Sequence, residues 1–343
     1  MKKNILLTFV ASVILINLGA QSSIEKNGQS LNVITTAVPL LMIGPDARAG
    51  GMGDGGVASS PDANSMHWNP AKYSRIADDM GFSFSYTPWL RNLVNDINLA
   101  YVSFYKRINP VSTFASSLRY FSLGEITFTD NTGMPIGTYK PNEFAIDATY
   151  SRILSDKFSL AVAGRFIYSD LTQGQFVQGV ETKPGISVAA DIAMYWEDDV
   201  DWFKSMDATF AWGVNISNIG NKISYSGTNI EKDFIPTNLR IGPRLTLELD
   251  DYNSISFQVD INKLLVPTPP IYADSTNPDG SYIILKGMDP NVSPIQGMIQ
   301  SWYDAPGGFS EEMREFSFAF GTEYWYTDVL ALRGGFFYED LTK

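Results

Sequence analysis

Residues 158–168 read FSLAVAGRFIY. One parity of this stretch holds Phe158, Leu160, Val162, Phe166 and Tyr168, and the other holds Ser159, Ala161, Ala163, Arg165 and Ile167. The pattern repeats every two residues, whereas a helix would bring together residues three and four apart, so it predicts a strand. The alternation recurs along the chain. Ile255, Phe257, Val259 and Ile261 oppose Ser256, Gln258, Asp260 and Asn262, and Phe316, Phe318 and Phe320 oppose Ser317, Ala319 and Gly321. Leu239, Ile241, Leu245 and Leu247 likewise oppose Asn238, Arg240, Arg244 and Glu248. In a soluble sandwich the apolar parity faces a core; in an outer-membrane barrel it faces lipid while the polar parity lines the lumen.

Three features choose the barrel over the sandwich. Small and charged residues share the polar parity, as in Ala145, Asp147 and Thr149, which suits a crowded polar lumen. Aromatic residues gather at segment ends (Trp196, Trp202, Phe203, Tyr324, Trp325, Tyr326), where membrane-surface girdles would place them. Connections also alternate in length. Short turns are expected at 109–110, 155–156, 250–251 and 327–328, and long ones at 87–96, 124–141, 171–184, 218–236 and 266–311. From a periplasmic N-terminus every long connection comes out extracellular, the 197–206 connection being a longish exception on the periplasmic side. The expected strands lie near 80–87, 97–107, 111–124, 142–154, 157–170, 184–197, 207–218, 236–249, 253–265, 313–326 and 329–339. That is about eleven strands, whereas single-chain bacterial barrels have even numbers and cannot leave an edge facing lipid. The expectation is therefore a C-terminally incomplete barrel, or else one strand wrongly assigned.

The N-terminus supports export. Lys2 and Lys3 precede an apolar run from Ile5 to Leu18 that ends in Gly19 and Ala20, the plan of a signal peptide cleaved after Ala20. A run of that length is short for a spanning helix, which needs roughly 20 residues. The expected organisation is a signal peptide (1–20), an N-terminal hatch (21–79) and a transmembrane β-barrel (80–343). The chain has no cysteine, so no disulfide framework holds it, and a net charge of -12 with no basic stripe argues against nucleic acid.

Five of the seven residues 50–56 are glycine, and Gly51, Gly53 and Gly56 spell the G-x-G-x-x-G of a dinucleotide loop. That motif needs a buried strand before it and a helix after it. The preceding IGPDARAG carries a proline and charges, and no βαβ unit follows. Backbone permissiveness in a segment folded inside a barrel is the better reading. Asn69-Pro70-Ala71 is expected to make a sharp turn before the first strand.

The stretch DARAGGMGDGGVASSPDANSMHWNPAKYS resembles the N-terminal hatch of the FadL-like outer-membrane family, whose pattern R-x-x-x-M-G-x-x-x-V-A leads to an Asn-Pro-Ala turn. The match rests on Arg48, Gly51, Met52, Gly53, Asn69, Pro70 and Ala71, on TPWLRNLVNDINLAYVSFYK at 87–106, and on ALRGGFFYE at 331–339. Within that family the similarity is to the outer-membrane component of the type IX secretion system. The resemblance implies a barrel of fourteen strands when complete and a location in the outer membrane of a Gram-negative bacterium, in contact with outer-membrane lipid. It also implies a non-enzymatic shuttle with three partners: a type IX translocon subunit, secreted cargo bearing a C-terminal secretion domain, and a sortase-like surface attachment complex. A FadL-type transporter of hydrophobic small molecules is the alternative.

Chemistry is otherwise sparse, and no catalytic residue, cofactor or metal is expected. His67 is the only histidine and has no cysteine or second histidine to complete a zinc site. The EDDVD run at 197–201 lacks the glycine and distal glutamate of a calcium loop. Arg119, Arg165, Arg240 and Arg244 with Asp147, Asp191, Asp260 and Glu323 read as complementary charges within a polar lumen. The long 266–311 connection is rich in proline, glycine and asparagine yet carries many apolar and aromatic residues, which points to partner contact. The partner-binding candidates are Trp89, Leu90, Tyr272, Tyr282, Met288, Met298, Trp302 and Tyr303.

Overall fold

Period-two segments of this length, joined alternately by short turns and long loops, can satisfy their backbone groups only by pairing with their sequence neighbours. The computed structural model shows that pairing. It describes residues 32–89, 91, 96–129, 132–174, 176–177, 180–204, 206–226, 232–276 and 282–342. The expected signal peptide, the first residues of the expected hatch and Leu90 lie outside them.

The chain runs through β1 (Met80–Pro88), β2 (Ile97–Asn109) and β3 (Ser112–Leu123), then a hairpin of β4 (Ile126–Thr129) and β5 (Pro135–Tyr139). Next come β6 (Asn142–Ser155) and β7 (Phe158–Asp170), a small hairpin of β8 (Phe176–Val177) and β9 (Val180–Glu181), then β10 (Gly185–Asp199) and β11 (Ala208–Gly220). β12 (Asn238–Asp250), β13 (Asn253–Leu264), a third hairpin of β14 (Ile271–Thr276) and β15 (Tyr282–Lys286), β16 (Phe316–Tyr326) and β17 (Leu330–Tyr338) complete the order. Eleven of these form one sheet in the order β1-β2-β3-β6-β7-β10-β11-β12-β13-β16-β17. Each wall strand is antiparallel to its neighbours, and β1 and β17 lie at the two edges of a sheet that does not close on itself. Every expected wall strand is present. The largest displacement is at β16, expected from 313, because residues 309–314 are taken by a helix.

Burial is inverted relative to a soluble sheet. Along β7 the small and charged parity, including Ala161, Ala163 and Arg165, is buried, while Val162 and Phe166 are exposed. β6, β10 and β3 repeat this pattern. Exposed Ile146, Tyr150, Ile186, Val188 and Ile192 extend an apolar outer face across neighbouring strands. An apolar exterior around a charged interior is the arrangement that lipid selects.

Residues 33–79 occupy the inner side of the wall as short turns of helix rather than strands. They comprise a 3-10 turn (Pro39–Met42), α1 (Ala47–Gly50), α2 (Ser65–Trp68) and a second 3-10 turn (Pro70–Arg75) that packs on β3, β6, β7 and β10. Asn69 is extended and caps this second turn by accepting from the Ala71 amide, so Asn-Pro-Ala starts a 3-10 turn rather than a bend directly into β1. Val38, Leu40 and Leu41 meet Leu99, Phe121, Ile167, Ile223 and Ile235 in an apolar layer at the long-loop end. Met66, Tyr73 and Ile76 pack on Tyr105, Ala115 and Ala163.

Candidate functional site

A segment seated against charged strands must give each buried polar group a partner. The hatch does so for most of its buried groups, through both its backbone and its side chains. The Asp260 carboxylate accepts from the amides of Gly56 (2.7 Å) and Val57 (2.9 Å), so the glycine loop does cradle an anion, and that anion is a side chain of β13. The Asn69 amide nitrogen donates to the carbonyls of Val57 and Met194, both at 2.8 Å, fixing the turn to β10. Ser151 and Ser159 donate to the Ala71 carbonyl, and Asn215 donates to that of Trp68. Lys72 is fully buried and donates to the Gly56 carbonyl and Ser59 hydroxyl; burial pushes its pKa down to about 8.

Arg48 supplies the charged clamp. Its Nε and Nη2 meet the two Glu323 oxygens at 2.9 and 2.7 Å, while Nη1 reaches Asp62 at 2.8 Å and the Ser60 carbonyl. Glu323 also accepts from Arg333 of β17. The paired bonds require a planar fork, which lysine lacks. Arg48→Lys should therefore leave the wall intact but speed proteolytic cleavage within 33–79 by about tenfold, as followed by mass spectrometry of timed digests.

Of the other hatch positions, Met52 is buried, and Gly53 takes φ +72° where a Cβ would stand 2.7 Å from the Phe336 amide nitrogen. Gly51 is exposed in the turn after α1. Pro70 and Ala71 are buried against the wall.

Deeper in the lumen the expected arginines and carboxylates are brought together by strand order. Arg165 of β7 pairs with Asp147 of β6 and with Asp191 of β10 at 2.9 Å. Arg119 of β3 reaches Asp147 at 3.5 Å. Arg244 of β12 meets Glu197 of β10 at 2.6 Å. His67 accepts from Arg119 at Nδ1 (2.8 Å); burial, with Arg119, Arg240 and Arg165 around it, holds the imidazole well below its ordinary range and neutral.

At the long-loop end, the 265–315 connection carries β14, β15, α3 (Pro294–Gln300) and α4 (Phe309–Arg314). Tyr272, Tyr282, Met288, Trp302 and Tyr303 are exposed as expected, with Tyr272 and Tyr282 in ring contact, while Met298 is half-buried. Trp89 turns inward onto the apolar layer around Leu40 rather than outward. The exposed face also includes Ile295, Ile299, Phe309 and Met313.

A buried ion cluster anchors this connection. Lys263 meets Glu312 (3.1 Å) and Glu315 (2.6 Å), Glu315 accepts from the Thr268 hydroxyl, and Asp304 accepts from the Thr268 amide. Burial pushes Asp304 up to about 6; the Thr268 amide opposes this and the neighbouring Glu312 and Glu315 add to it. A carboxyl whose folded pKa lies above its unfolded value favours folding while protonated, and that contribution is lost as pH rises through about 6. Asp304→Asn should remove the fall in stability between about pH 4 and 6 and raise stability at pH 7.5, as read from denaturation midpoints against pH.

A family model described as "Type IX secretion system protein PorV" matches residues 25–271, most of the chain. The chain belongs to the PorV family. The match takes in the hatch and the wall through β13, so the clamp residue Arg48, the Asn69 turn and the Arg165 network all lie within the PorV region. No curated protein matches the sequence. Among solved structures the chain is similar to one titled "CymD monoaromatic hydrocarbon channel", at 12% identity over 85% of this chain and 82% of that one, with a TM-score of 0.36. Membership of the PorV family makes this protein a type IX secretion component.

Proposed function

We propose that this protein is a non-enzymatic barrel of a Gram-negative outer membrane that receives secreted cargo by its C-terminal secretion domain. It carries that cargo from the type IX translocon to the sortase-like surface attachment complex, with its outer face in lipid. The reading rests on the PorV match together with one observation: the long connection that carries α3 and α4 presents Ile295, Ile299, Trp302, Tyr303 and Phe309 to solvent above a plugged lumen. Exposed aromatic and aliphatic side chains on an ordered support are what a protein partner buries. The hatch supports a carrier rather than a conduit, because its backbone is bonded to β11 and β13 by Asn215 and Asp260 and its Asn69 side chain to the backbone of β10.

A second reading, a FadL-type transporter of hydrophobic small molecules, has its own support. A cavity of about 350 Å³ lies between the hatch and β12, β13, β16 and β17, lined by Val33, Ile34, Met42, Leu264 and Phe337 with Arg240 and Asp54. That volume is at the lower end for a ligand pocket.

Affinity capture of the full-length protein from native outer membranes in mild detergent, with mass spectrometry, separates the two. Secreted proteins sharing one C-terminal domain, or a very large translocon subunit, are the expected co-purifying species, and changing Ile295, Ile299 and Trp302 to serine should remove the cargo while the barrel remains inserted. Stoichiometric fatty acid or another hydrophobic ligand, with no protein partner, would overturn the carrier reading.

A further inference from the structure

The exposed helix α3 and the hatch meet at Phe234, in the connection before β12. Gly297 is buried on α3, while Ile295 and Ile299 of the same helix are exposed. A Cβ at Gly297 would stand 2.9 Å from the Phe234 ring and 3.0 Å from Pro267, so the helix backbone lies directly on that ring. Lys222 Nζ stands 4.0 Å from the ring centroid. The Phe234 carbonyl accepts from the Ala37 amide at 2.9 Å, and the adjacent Ile235 joins Val38, Leu40 and Leu41 in the apolar layer. Phe234 thus supports α3 with its ring and holds the hatch with its backbone.

The hatch end of this contact is strained. Val38 is fully buried and takes φ +55° and ψ +60°. That left-handed conformation crowds any Cβ, and a branched one most. Val38 nevertheless starts the 3-10 turn Pro39–Met42, and the Leu41 amide bonds back to its carbonyl at 3.1 Å. A residue in this conformation persists only where its surroundings hold it.

We propose that seating of α3 on Phe234 and closure of the Val38 turn stabilise each other, with Phe234 as the coupling residue. The turn is the two-state element: held, with Val38 left-handed, or relaxed, with Ala37 parted from Phe234. A protein that buries Ile295 and Ile299 orders α3 without displacing Gly297 from the ring, a consequence that rests on the carrier reading above. Cargo on α3 then keeps the hatch shut, and a released hatch weakens the hold on cargo by the same factor, because coupling between two equilibria is reciprocal.

Hydrogen exchange of the full chain in detergent reads both ends. Gly297→Leu should speed exchange of the Ala37 and Leu41 amides about tenfold. Ala37→Pro, which removes the donor to Phe234, should speed the Gly297 and Ser301 amides by a similar factor, and it decides the matter alone if Gly297→Leu fails to fold. The amides of β6 and β7 should be unchanged in both. In Phe234→Ala, which deletes the ring and keeps the carbonyl, adding Gly297→Leu should leave the Ala37 and Leu41 rates where they were, the non-additivity of a coupled pair. Acceleration confined to α3 in Gly297→Leu or to the hatch in Ala37→Pro would overturn the coupling, as would an equal response to Gly297→Leu with and without the Phe234 ring. No partner is present in these measurements, so failure of cargo capture would leave them standing, and cargo capture with uncoupled exchange would sink this inference alone.

Discussion

Asp147→Leu is expected to destabilise the folded protein by about 3–5 kcal/mol, the cost of stranding a buried charge whose partner has been removed. Asp147 is fully buried and joins β3 to β7 across β6: one oxygen takes Arg165, the other takes Ser117, and Arg119 approaches at 3.5 Å. Removing it leaves Arg165 with Asp191 and leaves Arg119 without an ion pair among the described residues. The pair itself is not a large source of stability, since much of its attraction offsets desolvation. Replacing Asp147, Arg119 and Arg165 together by apolar residues should therefore cost clearly less than Asp147→Leu alone. Urea unfolding in lipid vesicles, followed by tryptophan fluorescence, measures both; equal losses would place the effect in packing rather than charge.

The second large effect is expected at Gly213, at the middle of β11. A Cβ there would stand 2.1 Å from the Val57 carbonyl oxygen and 3.0 Å from the Asn69 amide nitrogen. Only glycine lets the hatch backbone come this close to the wall. Gly213→Val should displace the hatch and break the bond between Asn69 and Val57 while the wall persists, because Gly213 keeps its strand pairing with Gly242 and Tyr195. Proteolytic cleavage within 33–79 should accelerate about a hundredfold, equivalent to roughly 3 kcal/mol of lost seating. Gly164→Ala is the control, since a Cβ at that outward position meets nothing within 4 Å and should leave the rate unchanged.

How much of this was legible in the sequence follows from which forces act locally. Lipid on one face and lumen on the other impose a period of two along each strand, so all eleven wall strands could be located, to within three residues at their ends, from stretches such as 158–168. The buried parity was equally plain: Arg119, Arg165, Arg240, Arg244, Asp147, Asp191, Asp260 and Glu323 are all buried as the alternation requires. Their pairing was not, because whether Asp147 or Asp260 faces Arg165 depends on strand neighbours and register, which no window of sequence contains. The hairpins β4–β5, β8–β9 and β14–β15 were hidden inside long connections that have neither a lipid face nor a lumen face to impose alternation. The orientation of Trp89 is illegible for a related reason: an aromatic in a loop looks the same whether it faces solvent or the apolar layer around Leu40. The glycine loop reads as backbone permissiveness, but that its amides hold the Asp260 carboxylate depends on a residue about two hundred positions away.

That separation bears on how the molecule is assembled. Gly56 meets Asp260 across 204 residues and Arg48 meets Glu323 across 275, whereas each wall hairpin pairs with its neighbour in sequence. Closing such long loops is unfavourable until the contacts at their ends exist. The part of the chain synthesised first is thus the part that finds its place last, after β13 and β16 are in register. Until then it lacks the contacts that bury the lysine, histidine and tryptophan of residues 67–72. Time-resolved hydrogen exchange should show the amides of β6 and β7 protected early and those of Gly56 and Val57 protected in the final phase.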